Sequence, residues 1–306
     1  ALDLKEIPRK LLVIGGGYIG LELGTVYAAL GTKVTVVEMT PGLLPGADRD
    51  LVKVLQKRLA SRMAAILLQT TVKSLKVQKN GIKAILEGPD VEQNARIFDK
   101  VLLAVGRRPN SAGLGLANTS IEVDGRGFIT VDAQRRTAEK HIFAIGDVAG
   151  EPMLAHKASH AGRVAAEVIA GRQVAYEPAA MPAVVFTDPE IAWVGLTEKE
   201  AADRSIAHKV VRFPWAASGR AATLDRDDGL TKLVIDPQSE RIIGRGIVGS
   251  GAGEMISEGV LAIEMGANVT DVGLTIHPHP TLTETIMEAA DLFHGTATHF
   301  YQSKRK

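Results

Sequence analysis

The sequence predicts an α/β protein in three pieces, and three observations carry that reading. Strand and helix signals alternate from Lys10 to Leu59, as a parallel sheet with crossover helices requires. A short central stretch follows Pro109 with too few apolar residues to own a full core. From about Tyr176 the pattern changes to antiparallel-looking strands with helices between and after them, an α+β arrangement.

Lys10 to Ile14 is a short apolar run, followed at once by a glycine turn and a helical pattern through Leu30, which Gly31 ends. Lys33 to Glu38 reads as a second buried strand. Asp50 to Leu59 is an amphipathic helix, with Leu51, Val54, Leu55 and Leu59 on one face. Val72 to Val77 and Ile82 to Leu86 form a hairpin turned at Lys79-Asn80-Gly81, and Val101 to Ala104 is another buried strand. The turn from Gly106 to Asn110 marks a boundary. Phe128 to Val131 and His141 to Ile145 read as short strands, and Ser159 to Ala170 as a helix. Strands are expected at Glu190 to Leu196, Lys209 to Phe213, Leu230 to Ile235 and Arg241 to Val248. The division that results is 1–112, 113–175 and 176–306.

The 306 residues are 45% hydrophobic and 23% charged, the composition of an ordinary globular chain. With 36 Lys and Arg against 35 Asp and Glu there is no basic field for a phosphate backbone, so nucleic acid is not an expected partner. The longest apolar stretch, Leu11 to Leu21, is too short to span a bilayer. Charges between Ala1 and Lys10 leave no room for an apolar targeting segment there, so a cytoplasmic location is expected. The chain has no cysteine, hence no disulfide and no thiol chemistry of its own.

Gly15, Gly16, Gly17, Tyr18, Ile19 and Gly20 satisfy G-x-G-x-x-G, with a strand before the motif and a helix beginning within it. Gly15 and Gly17 leave room for a pyrophosphate against backbone N–H groups, and Gly20 lets helix and strand pack. Glu38 lies at the end of the next strand, where a carboxylate binds both hydroxyls of an adenosine ribose and repels a 2′-phosphate. A Rossmann-type domain that prefers NAD to NADP is the expectation.

A second glycine cluster, Gly249 to Gly253, reads better as an irregular turn than as a phosphate site, since no strand with a terminal acid follows it. Asp147, just after a short strand, is either a ligand for hydroxyl groups or a turn cap. His277-Pro278-His279-Pro280-Thr281 with Glu284 allows three readings: a polar loop with a helix cap, an imidazole–carboxylate acid/base pair, or metal ligands. The residues alone favour them in that order.

Taken together these segments resemble the pyridine nucleotide–disulfide oxidoreductases over essentially the whole chain. The carriers are GGGYIGLELG from Gly15 with VVEM from Val36, AVGRRPN from Ala104, HIFAIGDVAGEPMLAHKA from His141, FPWAASGRA from Phe213 and HPHPTLTE from His277. The resemblance is strongest to the branch that oxidises dihydrolipoamide. His rather than Tyr before the Pro-Thr pair is similar to the dithiol enzymes. Glu38 followed by Met39 and Thr40, with no basic residue, is unlike the NADPH-using glutathione reductases.

That resemblance implies an NAD domain, the end of a FAD domain, and a C-terminal α+β dimerisation domain. It implies that Gly15 to Ile19, Glu38, Val72, Ala104, Val105, Gly106 and Arg107 line an NAD site. Asp147 would bind the ribityl chain of FAD, with Met153, Leu154, Ala155 and His156 along the flavin, and residues near Met153 to Ala158 would expose an apolar patch in this chain and favour association. His279 would be the acid/base, Glu284 its orienting partner, and a homodimer part of the mechanism, since the pair serves the opposite subunit. No metal is implied. The implied partner is a lipoyl domain of a 2-oxoacid dehydrogenase or glycine cleavage complex.

Members also carry a flavin-binding glycine motif and two redox cysteines near their start, and neither is present here. Glu22, which in such proteins pairs with a lysine beside those cysteines, lacks that lysine. The expectation is therefore a flavoprotein oxidoreductase that passes hydride to NAD, represented by its C-terminal two-thirds and inactive alone. The alternative is a non-catalytic NAD-binding or dimerising module.

Overall fold

The computed structural model describes residues 1–301. Its described residues divide into two compact units, one formed by residues 1–105 and 182–301 and the other by residues 106–181.

The first unit opens with β1 (Lys10–Ile14), α1 (Tyr18–Ala29), β2 (Lys33–Val37), α2 (Arg49–Arg62) and β3 (Ala65–Leu67). An antiparallel hairpin and third strand follow: β4 (Thr71–Gln78), β5 (Gly81–Glu87) and β6 (Ala95–Phe98), and then β7 (Lys100–Leu103). Strands β3, β2, β1 and β7 lie side by side in that order, all parallel, with Val13 opposite Val36 and Leu102. Central β1 and β2 are buried at consecutive positions, Leu11 to Val13 and Val34 to Val37 with Thr35 the one polar member, because both of their faces are covered. The edge strand β7 is only half-buried and Leu103 is exposed, unlike the buried strand expected at Val101 to Ala104. β3 and β6 were not anticipated from the sequence, being too short for periodicity to register.

The rest of this unit holds β8 (Ala183–Val185), β9 (Glu190–Gly195), α4 (Glu198–Asp203), β10 (Lys209–Pro214), α5 (Gly219–Thr223), β11 (Leu230–Ile235) and β12 (Ile242–Gly249). Three helices close it: α6 (Ala252–Glu264), α7 (Val269–Leu274) and α8 (Glu284–His294). The second unit's one α-helix, α3 (Ala155–Ile169), takes the number between. The five strands form an antiparallel sheet in the order β10, β11, β12, β9, β8. Helix α2 joins the two sheets, since Leu51, Leu55 and Leu59 share one core with Val13 and Val36 of the parallel sheet and Ile191 and Val248 of the antiparallel one. Gly246 on β12 leaves the space that Leu51 fills.

The second unit has a small core built on Ile121, Ile129 and Ala144. The strands expected at Phe128 to Val131 and His141 to Ile145 are present only as the isolated bridges Val123 to Ile129 and Arg136 to Phe143. So small a core cannot cover the face of a sheet, and the backbone groups pair singly across turns instead, Ile129 N–H with the Val148 carbonyl and Ala144 N–H with that of Arg135. α3 begins four residues before the stretch expected to be helical. Among the described residues no helix is long and apolar enough to cross a membrane.

Candidate functional site

At the glycine turn the backbone itself explains the residue types. Gly15 has φ +111°, and a Cβ there would stand 2.2 Å from the Ala104 carbonyl oxygen. Its N–H reaches the Val37 carbonyl at 2.8 Å, so strand β1 leaves the sheet tied to β2. A Cβ on Gly20 would meet the Gly15 carbonyl oxygen at 2.2 Å, the close packing that the third glycine of the motif permits. Gly17 caps α1 with no side-chain hydrogen bond and with open space where its Cβ would be. Unfilled space beside helix N–H groups is what an approaching phosphate requires.

Glu38 sits just past β2 and is almost fully buried. Its Oε2 accepts the Gly16 N–H at 2.7 Å and its Oε1 the Thr40 N–H at 2.8 Å. Val72 is half-buried on β4, while Ala104 and Val105 follow β7 beside Gly15, Val105 being exposed. The glycines, Glu38 and Ala104 are thus brought together at the carboxyl ends of parallel strands, with Tyr18 and Ile19 opening α1. The second glycine cluster differs. The Gly253 N–H at the start of α6 is taken by Glu190 Oε2 at 2.9 Å, and Gly249 makes room for the Trp215 ring, which accounts for those glycines without a ligand.

Gly106 and Arg107 belong to the second unit. There the Arg107 Nη1 donates to Asp147 Oδ2 at 2.8 Å, and Nη2 reaches the Met153 carbonyl. Asp147 lies in a 3-10 turn, Gly146–Ala149. Leu154 precedes α3, and Ala155 and His156, its first residues, are exposed while Met153 and Leu154 are half-buried. Lys157 is buried, donating to the Gly146 and Gly150 carbonyls, and burial pulls its pKa down. The link from Arg107 to Asp147 and Met153 was not foreseen, because no local spacing joins residues forty positions apart.

The two histidines of the HPHP segment part company. His277 turns inward: Nδ1 faces the Thr275 carbonyl at 2.8 Å and Nε2 faces Glu258 Oε1 on α6 at 3.1 Å. His279 turns outward, its side chain 75% exposed, and its Nδ1 donates to Glu284 Oε1 at 2.9 Å. Glu284 opens α8 and also accepts the Thr281 N–H at 2.7 Å. Burial works to raise the Glu284 pKa. It is outweighed by the Thr281 amide, the His279 hydrogen bond and the charges of His279 and His299, which hold the carboxyl below its usual range. A carboxylate on Nδ1 leaves Nε2 facing solvent as the working nitrogen of an acid/base. Since each imidazole takes its own carboxylate, the loop does not converge on one point as metal ligands would.

Comparison with known proteins identifies the class. Residues 1–162 match the family model described as pyridine nucleotide-disulphide oxidoreductase, and residues 181–290 match the dimerisation domain of the same family. The chain belongs to this family. Among curated relatives, the dihydrolipoyl dehydrogenase of Vibrio cholerae is 50% identical over all 306 residues, and that of Thermus scotoductus is 47% identical over 301. The chain spans 64% of the length of the first and 65% of the second. Among solved structures, LpdA from Mycobacterium tuberculosis superposes with a TM-score of 0.87 at 29% identity, covering 95% of this chain and 63% of that one. The HOCl-induced flavoprotein disulfide reductase RclA from Escherichia coli gives 0.87 at 28%, covering 95% and 66%.

Proposed function

We propose that this chain supplies the NAD-binding, acid/base and self-association parts of a dihydrolipoyl dehydrogenase. The observation that carries the proposal is the solvent-facing His279, held through Nδ1 by Glu284. Its Nε2 is free to take a proton from a dithiol and pass it to water, while Glu284 fixes the tautomer and steadies the imidazolium. Gly15 to Gly20, Val72, Ala104 and Val105 would accept NAD, within the functional division 1–112, 113–175 and 176–306. Glu38 would select it by its ribose hydroxyls. Asp147, Met153, Leu154, Ala155 and His156 would contribute one side of a FAD site. FAD and NAD, when bound, carry the electron pair of the dithiol away as hydride.

Because the chain contains no cysteine, the sulfur relay of that reaction has to come from outside these 306 residues. The proposed partners are a second copy of the chain and a lipoyl domain of a 2-oxoacid dehydrogenase or glycine cleavage complex, in the cytoplasm. Exposed Leu261, Met265, Leu274 and Ile276 on and after α6 and α7 support the homodimer. The absence of cysteine also favours a second reading, a module that binds NAD and self-associates without catalysis.

The test joins this sequence to a cysteine-bearing flavin segment and follows dihydrolipoamide-dependent reduction of NAD. Activity that His279→Gln removes, with NAD affinity unchanged, is the expected result. No activity in the joined protein, with flavin and NAD both bound, would leave the module reading in its place.

A further inference from the structure

Helix α8 carries a second carboxylate one turn beyond Glu284. Residues four apart share a helical face, so Glu288 continues the line begun by Glu284. Glu288 is 2% exposed. His299 Nδ1 donates to its Oε1 at 2.6 Å, and the amides of Thr298 and His299 donate to its Oε2 at 3.1 and 3.2 Å. Glu284 is served in the same manner, by one imidazole Nδ1 and one loop amide. Two imidazoles from the loops flanking α8 are thus each fixed through Nδ1 to a carboxylate, and the two carboxylates stand on successive turns of one helix.

The placement of His299 is built rather than incidental. The next residue, Phe300, packs edge-on against Phe213 of β10 with ring centroids 6.3 Å apart, and the Thr296 N–H is held by the Asp291 carbonyl at 3.0 Å. The His299 side chain remains 56% exposed, so it exchanges protons with solvent while its partner is buried. A buried carboxylate needs a counter-charge. The cations on the elements packed against α8 are committed elsewhere: Lys209 to the Phe293 carbonyl and ring, Arg212 to Asp50 and Glu198, and Lys232 to Asp48, Asp50 and Glu198. On α7, Asp271 is taken by the Asn268 amide. On α8 itself, Asp291 is acidic like Glu288, and His294 faces Thr270.

We propose that Glu288 and His299 are a positioning pair for His279, the charge on His299 setting how firmly His279 holds its proton. A cationic His299 offsets part of the negative field that Glu284 and Glu288 place on His279, which favours the neutral, proton-accepting imidazole. With His299 neutralised the uncompensated carboxylates hold the His279 proton more tightly. The catalytic consequence rests on the proposed function of His279, whereas the coupling between the two imidazoles does not.

Residue-resolved NMR titration of the histidines in this chain tests the coupling. His299→Asn keeps a donor for Glu288 but carries no charge, and the expected result is a His279 midpoint raised by roughly 0.3–0.5 unit. His299→Lys restores a fixed positive charge and is expected to return the midpoint to the wild-type value or below. A tether without electrostatic effect predicts that His299→Asn titrates as wild type, and that result overturns the proposal; His299→Gln serves as the second neutral variant if Asn loosens the tail. In the joined, flavin-containing protein the acid limb of the kcat profile should move with the NMR midpoint while KM for NAD stays fixed. A midpoint that moves without the limb leaves the coupling standing and removes His279 as the proton carrier.

Discussion

Glu38 Oε2 lies 2.7 Å from the Gly16 amide nitrogen, so the acid after β2 is fastened to the glycine turn at the head of α1. The carboxylate is therefore oriented before any nucleotide arrives, and ordering costs little on binding. Replacing it with alanine should weaken NAD binding by about 10- to 100-fold, the loss of charge-assisted hydrogen bonds to a ribose. Preference over NADP should fall at the same time, because the repelling charge is gone. Calorimetric titration of the purified variant with each nucleotide checks both effects, and Glu38→Ala binding NAD as wild type would show that the ribose lies elsewhere.

The glycines of the same turn separate stability from binding. Gly20→Ala places a methyl 2.2 Å from the Gly15 carbonyl oxygen, so α1 must move away from β1, at a cost of about 1–3 kcal/mol. Gly17→Ala meets open space at φ −78° and should leave the melting temperature within a few degrees of wild type. The same methyl occupies the space in front of the helix N–H groups, so NAD affinity should drop sharply. Thermal melts and NAD titrations on the two variants should give opposite rankings.

How much of this was legible in the sequence depends on the range over which each feature is encoded. The parallel β1–α1–β2 unit is local: apolar run, glycine turn and terminal acid follow one another within thirty residues, and the structure places them as read. The pairing of His279 with Glu284 spans five positions, yet the residues alone rank it behind a polar loop, and only the family resemblance brings it forward. Arg107 with Asp147, His277 with Glu258, and Lys232 with Asp48 join elements distant in sequence, and no spacing rule reaches across the folds that bring them together. Strand periodicity misled at Phe128 to Val131, where alternation was present but the buried partners needed for a ladder were few.

Lys232 is 1% exposed and binds Asp48 at 2.7 Å, Asp50 at 2.9 Å and Glu198 at 3.2 Å, linking the N-terminus of α2 to β11 and α4. Burial tends to raise the Asp50 pKa. The hydrogen bonds and charges of Lys232 and Arg212 outweigh it and hold Asp50 below its usual value. A depressed carboxyl contributes stability above its unfolded pKa, about 3.9, and loses it as pH falls through the lower folded value. Acid unfolding in wild type should therefore weaken this junction below about pH 4. Lys232→Met strands buried Asp48 near neutral pH and leaves half-buried Asp50 and Glu198 to Arg212 alone, and should cost about 3 kcal/mol, measured by urea unfolding at pH 7. The variant's deficit should narrow as pH falls, since protonated carboxyls no longer need the cation; a deficit independent of pH would assign the loss to packing.

The His279–Glu284 pair gives the prediction closest to chemistry. Glu284 accepts two donors, the His279 Nδ1 and the Thr281 amide, one on each oxygen. Glutamine has a single oxygen, so Glu284→Gln must turn an NH2 toward one of the two donors and lose that bond. Either the ring loses its fixed tautomer or the loop loses its anchor to α8, and in both cases the developing imidazolium loses its counter-charge. In the joined, flavin-containing protein kcat should fall roughly 10²-fold, with KM for NAD unchanged because the glycine turn is untouched. Since the Glu284 carboxyl is held below its usual range, the wild-type anchor persists from neutral pH down to about pH 4 and is lost only in more acidic solution. The acid limb of the wild-type activity profile above that point should then report the imidazole rather than the carboxylate, and Glu284→Gln should move that limb to lower pH, because a ring without its carboxylate gives up its proton more readily. A limb that stays in place in this variant would mean that another group carries the proton.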